Sequence, residues 1–189
     1  MEKEKVTNEK KDYYIPKTNI VSQIRLSSKR RKSNMASYIV RKIRNHCCEM
    51  LAFKCPINQI RVRLHRWRGV NIGERVMLGM EVVLDHAYPE LITLEQDCSL
   101  AGYNYILAHS IPLEHFENIL DSYTAPVVVK KGAWVAVGSM IMPGVTIGEY
   151  SIVSAGSVVT ESVPAYTIVS GNPAEVVGRI NPKWITKCK

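Results

Sequence analysis

The sequence contains no run approaching the roughly 18 apolar residues of a membrane span. Its first ten residues, MEKEKVTNEK, are charged where a secretory leader would be apolar. Neither a span nor a signal peptide is expected, and a cytoplasmic location follows by default. Cysteine is sparse and odd in number. Cys47, Cys48, Cys55, Cys98 and Cys188 lack metal or disulfide spacing, which suits reduced thiols. No resident metal is expected. The last two thirds of the chain also lack basic excess. Residues 69–189 hold 7 Lys/Arg against 12 Asp/Glu, whereas residues 1–68 hold 18 against 5, within a net charge of +8. The basic character therefore belongs to an N-terminal extension. Nucleic acid, anionic lipid headgroups and anionic substrates could each answer it, and so could a plain solvated arm.

What is abundant is a period of six. From Val129 to Val163 the chain reads VKKGAW, VAVGSM, IMPGVT, IGEYSI, VSAGSV, VTESVP. The first positions, Val129, Val135, Ile141, Ile147, Val153 and Val159, are all aliphatic. The fifth, Ala133, Ser139, Val145, Ser151, Ser157 and Val163, are small or β-branched. This period is neither helical nor that of a hairpin, and marks an internal repeat. A parallel β-helix explains it. Each six makes a short strand and a turn, three sixes close a triangular coil, and aliphatics stack inside at about 4.8 Å spacing. Gly138, Gly144 and Gly156 at fourth positions suit turns that need positive φ.

Taken in order, residues 1–33 end in SSKRRKS and read as a disordered basic arm. Residues 34–69 read as a helical extension. Ala36, Ile39, Val40, Ile43, Cys47, Met50 and Leu51 form an apolar stripe from Asn34, a plausible N-cap, to about Phe53. After Pro56, Ile57, Ile60, Leu64 and Trp67 share one face of a second helix ended by Gly69, with arginines on the others. Such helices could cap the open edge of the first coil or lie on a membrane surface. The cap is favoured because repeat arrays need one. The repeat domain spans 70–180, with Ile72, Leu78, Leu84, Leu94, Leu100 and Ile106 at first positions. HAYPELIT breaks the register, and a loop over 110–126 leaves the coil at a corner. Asn104 takes an inward position that is costly unless hydrogen-bonded. Residues 181–189 form a short tail.

Three histidines are candidates for chemistry. His109 ends a coil strand at the mouth of the loop, where a neutral imidazole can take a proton. It could equally be a corner histidine that bonds backbone. His86 and His115 read as surface or packing residues.

The segment from Val127 to Ile180, with its PGVTIG and GNPA motifs, resembles the end of hexapeptide-repeat O-acetyltransferases. These include galactoside, maltose and xenobiotic acetyltransferases and the sugar acetyltransferases of polysaccharide biosynthesis. RLHRWRGVNIG and LDHAYPELITL resemble the polysaccharide type more closely, so the likeness runs from about Ile60 to Ile180. It implies an all-β left-handed solenoid, an exception to the right-handed crossover rule. It also implies a homotrimer with acetyl-CoA between subunits. It puts the catalytic base at His109, in ILAHS. It puts the cofactor along Trp134, the Val137 amide, Ala155 and Thr160. Asp85 falls where the family often has an acceptor-binding carboxylate, though it could be a turn residue, and Asn104 is a second acceptor-binding candidate. A sugar or glycan precursor is the expected acceptor, and nucleic acid is not an expected partner. Contact with the inner membrane face through the basic helices remains open.

The chain departs from the family at Glu161 and Glu175, where basic residues often face the cofactor phosphates. Arg179 and Lys183 are the nearby substitutes. Ala136 replaces a usual glycine. A xenobiotic acceptor, a γ-type carbonic anhydrase using His86, His109 and His115, and an inactive trimeric scaffold are the alternatives.

Overall fold

The computed structural model describes residues 35–111 and 123–185. The expected basic arm, the Asn34 cap, His115, residues 112–122 of the loop and the last four residues lie outside them. Two helices, α1 (Met35–Lys54) and α2 (Asn58–Arg68), precede the repeat. The first turn of the repeat is β1 (Asn71–Ile72), β2 (Met77–Leu78) and β3 (Val83–Leu84). The second is β4 (Ile92–Leu94), β5 (Ser99–Leu100) and β6 (Tyr105–Ile106). A small hairpin, β7 (His109–Ser110) and β8 (Tyr123–Thr124), interrupts. The third turn is β9 (Val127–Val129), β10 (Trp134–Val135) and β11 (Met140–Ile141), and the fourth is β12 (Thr146–Ile147), β13 (Ile152–Val153) and β14 (Val158–Val159). An antiparallel pair, β15 (Thr167–Gly171) and β16 (Ala174–Arg179), closes the array. Among the described residues no helix is long and apolar enough to cross a membrane.

Strands pair in parallel with their counterparts one turn away, and the chain visits three sheets in rotation. These are β1-β4-β9-β12, then β2-β5-β10-β13, and β3-β6-β11-β14. The six-residue period sets this pairing. Every first-position residue faces in: Ile72, Leu94, Val129 and Ile147 on the first sheet, Leu78, Leu100, Val135 and Val153 on the second, and Leu84, Ile106, Ile141 and Val159 on the third. All are buried, and each contributes roughly 1.5–3 kcal/mol by leaving water. Fifth positions fill the corners. Where they are polar, their groups are satisfied: Ser151 Oγ donates to Gly148 O at 2.6 Å, and Ser139 Oγ to Ser154 O at 2.9 Å. Gly148 sits at a second position for another reason than φ. A Cβ there would lie 2.4 Å from the Ala165 nitrogen of the neighbouring turn.

The helices cap the first coil, but not through their apolar stripes. That of α1 is exposed at Ile39, Val40, Ile43, Met50 and Leu51. Ile57, just before α2, and Ile60 and Trp67 on it are exposed as well. The buried face of α2 is instead Arg61, Val62, His65 and Arg68. The reason is the edge of the first turn, whose outward carbonyls have no strand to accept from. Arginines satisfy them, one for each sheet. Arg66 donates to Ile72 O at 3.1 Å and Gly73 O at 2.6 Å on β1 and its turn. Arg61 donates to Leu78 O on β2 at 3.0 and 2.5 Å, and to Cys55 O at 2.6 Å. Arg68 donates to Leu84 O at 3.0 Å and Asp85 O at 3.1 Å beyond β3. Asn58 completes the second edge, accepting from Leu78 N at 2.9 Å and donating to Val76 O at 3.1 Å. The cap is therefore made of donors, not of hydrocarbon. Gly69, in the left-handed region at φ 109°, ends α2 as expected.

Two measurements test the cap. Arg61→Met keeps the apolar stem and removes the donors. It is expected to lower the unfolding free energy by about 2–4 kcal/mol in urea denaturation. A loss under about 0.5 kcal/mol would mean that solvent serves these carbonyls equally well. The second concerns His65, whose Nδ1 accepts from Arg68 Nη1 at 3.0 Å. Burial, then the Arg68 and Arg61 charges, push it down from 6.5 to about 3. Between those values the unfolded chain binds the extra proton. Stability is therefore expected to fall as pH drops from about 6.5 toward 3, by at most about 1.4 kcal/mol per unit. His65→Asn keeps an acceptor that cannot titrate. Its unfolding free energy should lose that slope, and an unchanged slope would assign it to other groups.

Candidate active site

The site begins where β3 ends. Asp85 follows Leu84 at the corner where the register breaks, and the chain folds into a 3₁₀ turn at Pro89–Leu91 before rejoining the coil. One turn later Ala108 and His109 leave β6 at the same corner. Because the two corners stack, the Asp85 carboxylate meets the second. Oδ1 accepts from Ala87 N at 2.8 Å and Tyr88 N at 3.0 Å. Oδ2 accepts from Ala108 N at 2.7 Å and pairs with His109 Nδ1 at 2.5 Å. Burial alone would push the Asp85 carboxyl up. The bonds from His109, Tyr88 and Ala108 outweigh it and bring the group down to about 2. An ionised Asp85 requires Nδ1 of His109 to be the donor, which in the neutral imidazole makes Nε2 the acceptor.

The ring of His109 is held from two further sides. His86 meets it edge-on at 5.7 Å between centroids and Tyr88 at 5.5 Å. Its backbone is fixed in β7, opposite Thr124 of β8. The His109 side chain keeps 20% of its surface exposed, whereas the Asp85 side chain keeps none. The arrangement can orient an imidazole and stabilise its protonated form.

Asp85 and Asn104, the expected acceptor-binding residues, are both buried in the single chain. Asp85 does not have the surface of an acceptor-binding residue. Its carboxylate is buried and accepts four bonds from the chain itself. Asn104 is also fully buried, with Nδ2 donating to Ala136 O at 2.6 Å and Oδ1 accepting from Gly102 N at 3.1 Å. It is a satisfied corner residue. His86 and Tyr88 were missed as neighbours of His109. The signal was their closeness to Asp85 in LDHAYPE, at a break in the period.

The remaining candidates lie elsewhere. Trp134 stands half-exposed on the outer face of the second sheet. Val137 follows at the corner between the second and third sheets. Its carbonyl accepts from Gly156 N at 2.9 Å, which brings Ala155 to the same corner. Its N–H has no partner among the described residues. Thr160 is exposed one corner further on, Arg179 is exposed at the end of β16, and Lys183 is exposed beyond the closing pair. His109 and Val137 thus occupy different corners of one chain. Glu161 and Glu175 are exposed as well. Among the described residues no group of three or more His, Cys, Asp or Glu side chains could hold a metal.

Residues 126–161 match the family described as bacterial transferase hexapeptide, six repeats. The chain is 49% identical over 53 residues to the dTDP-3-amino-3,6-dideoxy-α-D-galactopyranose 3-N-acetyltransferase of Aneurinibacillus thermoaerophilus, 28% of each chain. It is 35% identical over 63 residues to the galactoside O-acetyltransferase of Escherichia coli, 33% of this chain and 31% of that one. Among solved structures it is similar to a hexapeptide-repeat-containing acetyltransferase of Vibrio cholerae complexed with acetyl coenzyme A. The TM-score is 0.65 and the identity 21%, with 77% of this chain and 90% of that one covered. The chain spans 28–44% of the length of the curated relatives it matches. The likeness establishes a hexapeptide-repeat fold.

Asp85→Ala leaves four donors without their acceptor and is expected to lower the unfolding free energy by about 3 kcal/mol. His109→Ala, at the solvent edge, should change it by less than about 1 kcal/mol. Equal losses in urea denaturation would mean that His109 is as structural as its partner.

Proposed function

We propose that this protein is an acetyltransferase that moves an acetyl group from acetyl-CoA to a hydroxyl of a sugar or glycan precursor. The observation that carries the reading is His109, oriented by a buried ionised carboxylate at the mouth of a hexapeptide coil, with Nε2 left as acceptor. Relatives named for acetyl transfer to sugars support the acceptor class, and they include both O- and N-transfer.

In this mechanism His109 Nε2 takes the proton of the acceptor hydroxyl as its oxygen attacks the thioester carbonyl. Asp85 holds the imidazole in the correct tautomer and offsets the charge it acquires. The Val137 N–H, without a partner among the described residues, is the candidate donor to the carbonyl oxygen as negative charge develops there. The C–S bond breaks, and His109 returns its proton to the departing sulfur. Trp134, Ala155 and Thr160 would line the path of the cofactor's arm, and Arg179 and Lys183 would face its phosphates in place of Glu161 and Glu175. His109 and Val137 sit at different corners, so a site using both draws on two copies of the chain. This supports a homotrimer of left-handed β-helices with the site between subunits. A cytoplasmic location fits a supply of acetyl-CoA.

A CoA-release assay over a panel of hydroxyl- and amino-bearing sugars tests the reading. His109→Ala is expected to lower kcat/KM by about 10²–10⁴ on the acceptor the wild type uses. Turnover retained by the variant on every such acceptor would remove His109 as the base.

A further inference from the structure

Beside the proposed transfer site, between α1 and the chain that follows Asp85, lies a small cavity of about 40 Å³. Tyr38, Arg41, Lys42 and Asn45 of α1 line one side of it, and Tyr88 and Glu90 the other. There is room for roughly three water-sized groups, which suits one polar group and not a whole sugar. Arg41 Nη2 is buried and bonds no acceptor among the described residues. A buried guanidinium donor is costly to leave unmade. Tyr38, itself buried, holds both cations on one support. The Arg41 guanidinium carbon lies 5.5 Å from its ring centre, and Lys42 Nζ lies 5.9 Å away. Asn45 is buried as well. Its Oδ1 accepts from Arg44 Nε at 3.3 Å and Nη2 at 3.0 Å, so Nδ2 is the group it can donate. Glu90 is the one carboxylate in the lining, and it is exposed. The cavity thus sets two cations and an amide against a single exposed carboxylate.

Tyr88 links this cavity to the proposed base. It lines the cavity, and its ring meets that of His109 at 5.5 Å between centroids. A group held by Arg41 therefore stands one side chain away from His109. The geometry points to a subsite for an anionic group of the acceptor, a carboxylate or a phosphate ester, received by Arg41 with Lys42 while the acceptor hydroxyl meets His109 Nε2. A guanidinium suits either anion, because its forked N–H donors match two oxygens. The acceptor is then an acidic or phosphorylated sugar. This inference rests on acetyl transfer at His109 and adds to it the class of sugar.

The test is a CoA-release assay on sets of sugars that differ only in charge: galactose, glucose and mannose, each with its uronate and its anomeric phosphate. The wild type is expected to show a kcat/KM about 10–100-fold higher for a charged member of a set than for the parent hexose. The member preferred, uronate or phosphate, identifies the anion. Arg41→Met should bring that ratio to within about threefold of one, through the KM for the sugar and not that for acetyl-CoA. Arg41→Lys, which keeps the charge without the fork, should retain part of the preference. Equal use of charged and neutral sugars by the wild type would overturn the inference, leave the cavity to water, and leave acetyl transfer standing. A ratio unmoved by both Arg41→Met and Lys42→Met would also overturn it. A raised KM for acetyl-CoA in Arg41→Met would do the same, by assigning the cavity to the cofactor's phosphates. The same sugars are titrated calorimetrically without acetyl-CoA. CoA release from none of them would sink the acetyl-transfer reading, and the titration would still decide the subsite. Binding of a charged member about tenfold tighter than its parent, lost in Arg41→Met, supports it, and equal binding overturns it.

Discussion

A parallel coil must end, and its first turn presents backbone carbonyls that no further strand can satisfy. The structure depends on how this edge is closed. An unpaired buried carbonyl costs about as much as a lost hydrogen bond, and three sheets leave such edges at once. Helix α2 answers with one guanidinium for each sheet, on Arg66, Arg61 and Arg68. A guanidinium suits the task because its fork of donors can reach two carbonyls while its stem covers apolar surface. Closing the edge this way requires the donor-rich face of α2 to turn inward, and that choice leaves the apolar residues of the extension in solvent.

The same closure reaches the candidate site. Arg68 bonds the carbonyl of Asp85, the residue whose carboxylate orients His109. Arg68 is in turn held by His65 of its own helix and Glu49 of α1. Cap and site therefore share a corner of the coil. The pairing of Asp85 with His109 is a product of stacking: the two residues are 24 apart in sequence, and the coil sets their corners one above the other.

Much of this was legible in the sequence because the period of six is a physical constraint on every first position. Ile72, Leu94 and Val135 could be assigned inward from spacing alone, and all are buried. His109 was visible as the residue at which the period stops. Amphipathicity misled at the helices. A stripe such as Ile39, Ile43 and Met50 reads as core-facing, and nothing in a helical pattern announces that an open strand edge will compete for the contact and favour arginine. Asp85 and Asn104 misled for a related reason. A polar residue near a site reads as a ligand for substrate, whereas each is consumed by backbone groups of the next turn. Beside local partners, each takes one from across the coil, Ala108 for Asp85 and Ala136 for Asn104, which no local motif shows. His86 and Tyr88 were lost to the same cause, since their contact with His109 exists only once the turns are stacked.

The bond from Arg68 to the Asp85 carbonyl has a practical corollary for dividing this chain. The repeat looks self-contained, and a fragment beginning at Val70 would keep every inward column from Ile72 to Val159. It would also begin with three open edges, and the corner that carries Asp85 would lose the bonds from Arg68 of α2. The smallest unit that preserves the site therefore starts upstream of the repeat, with both helices attached.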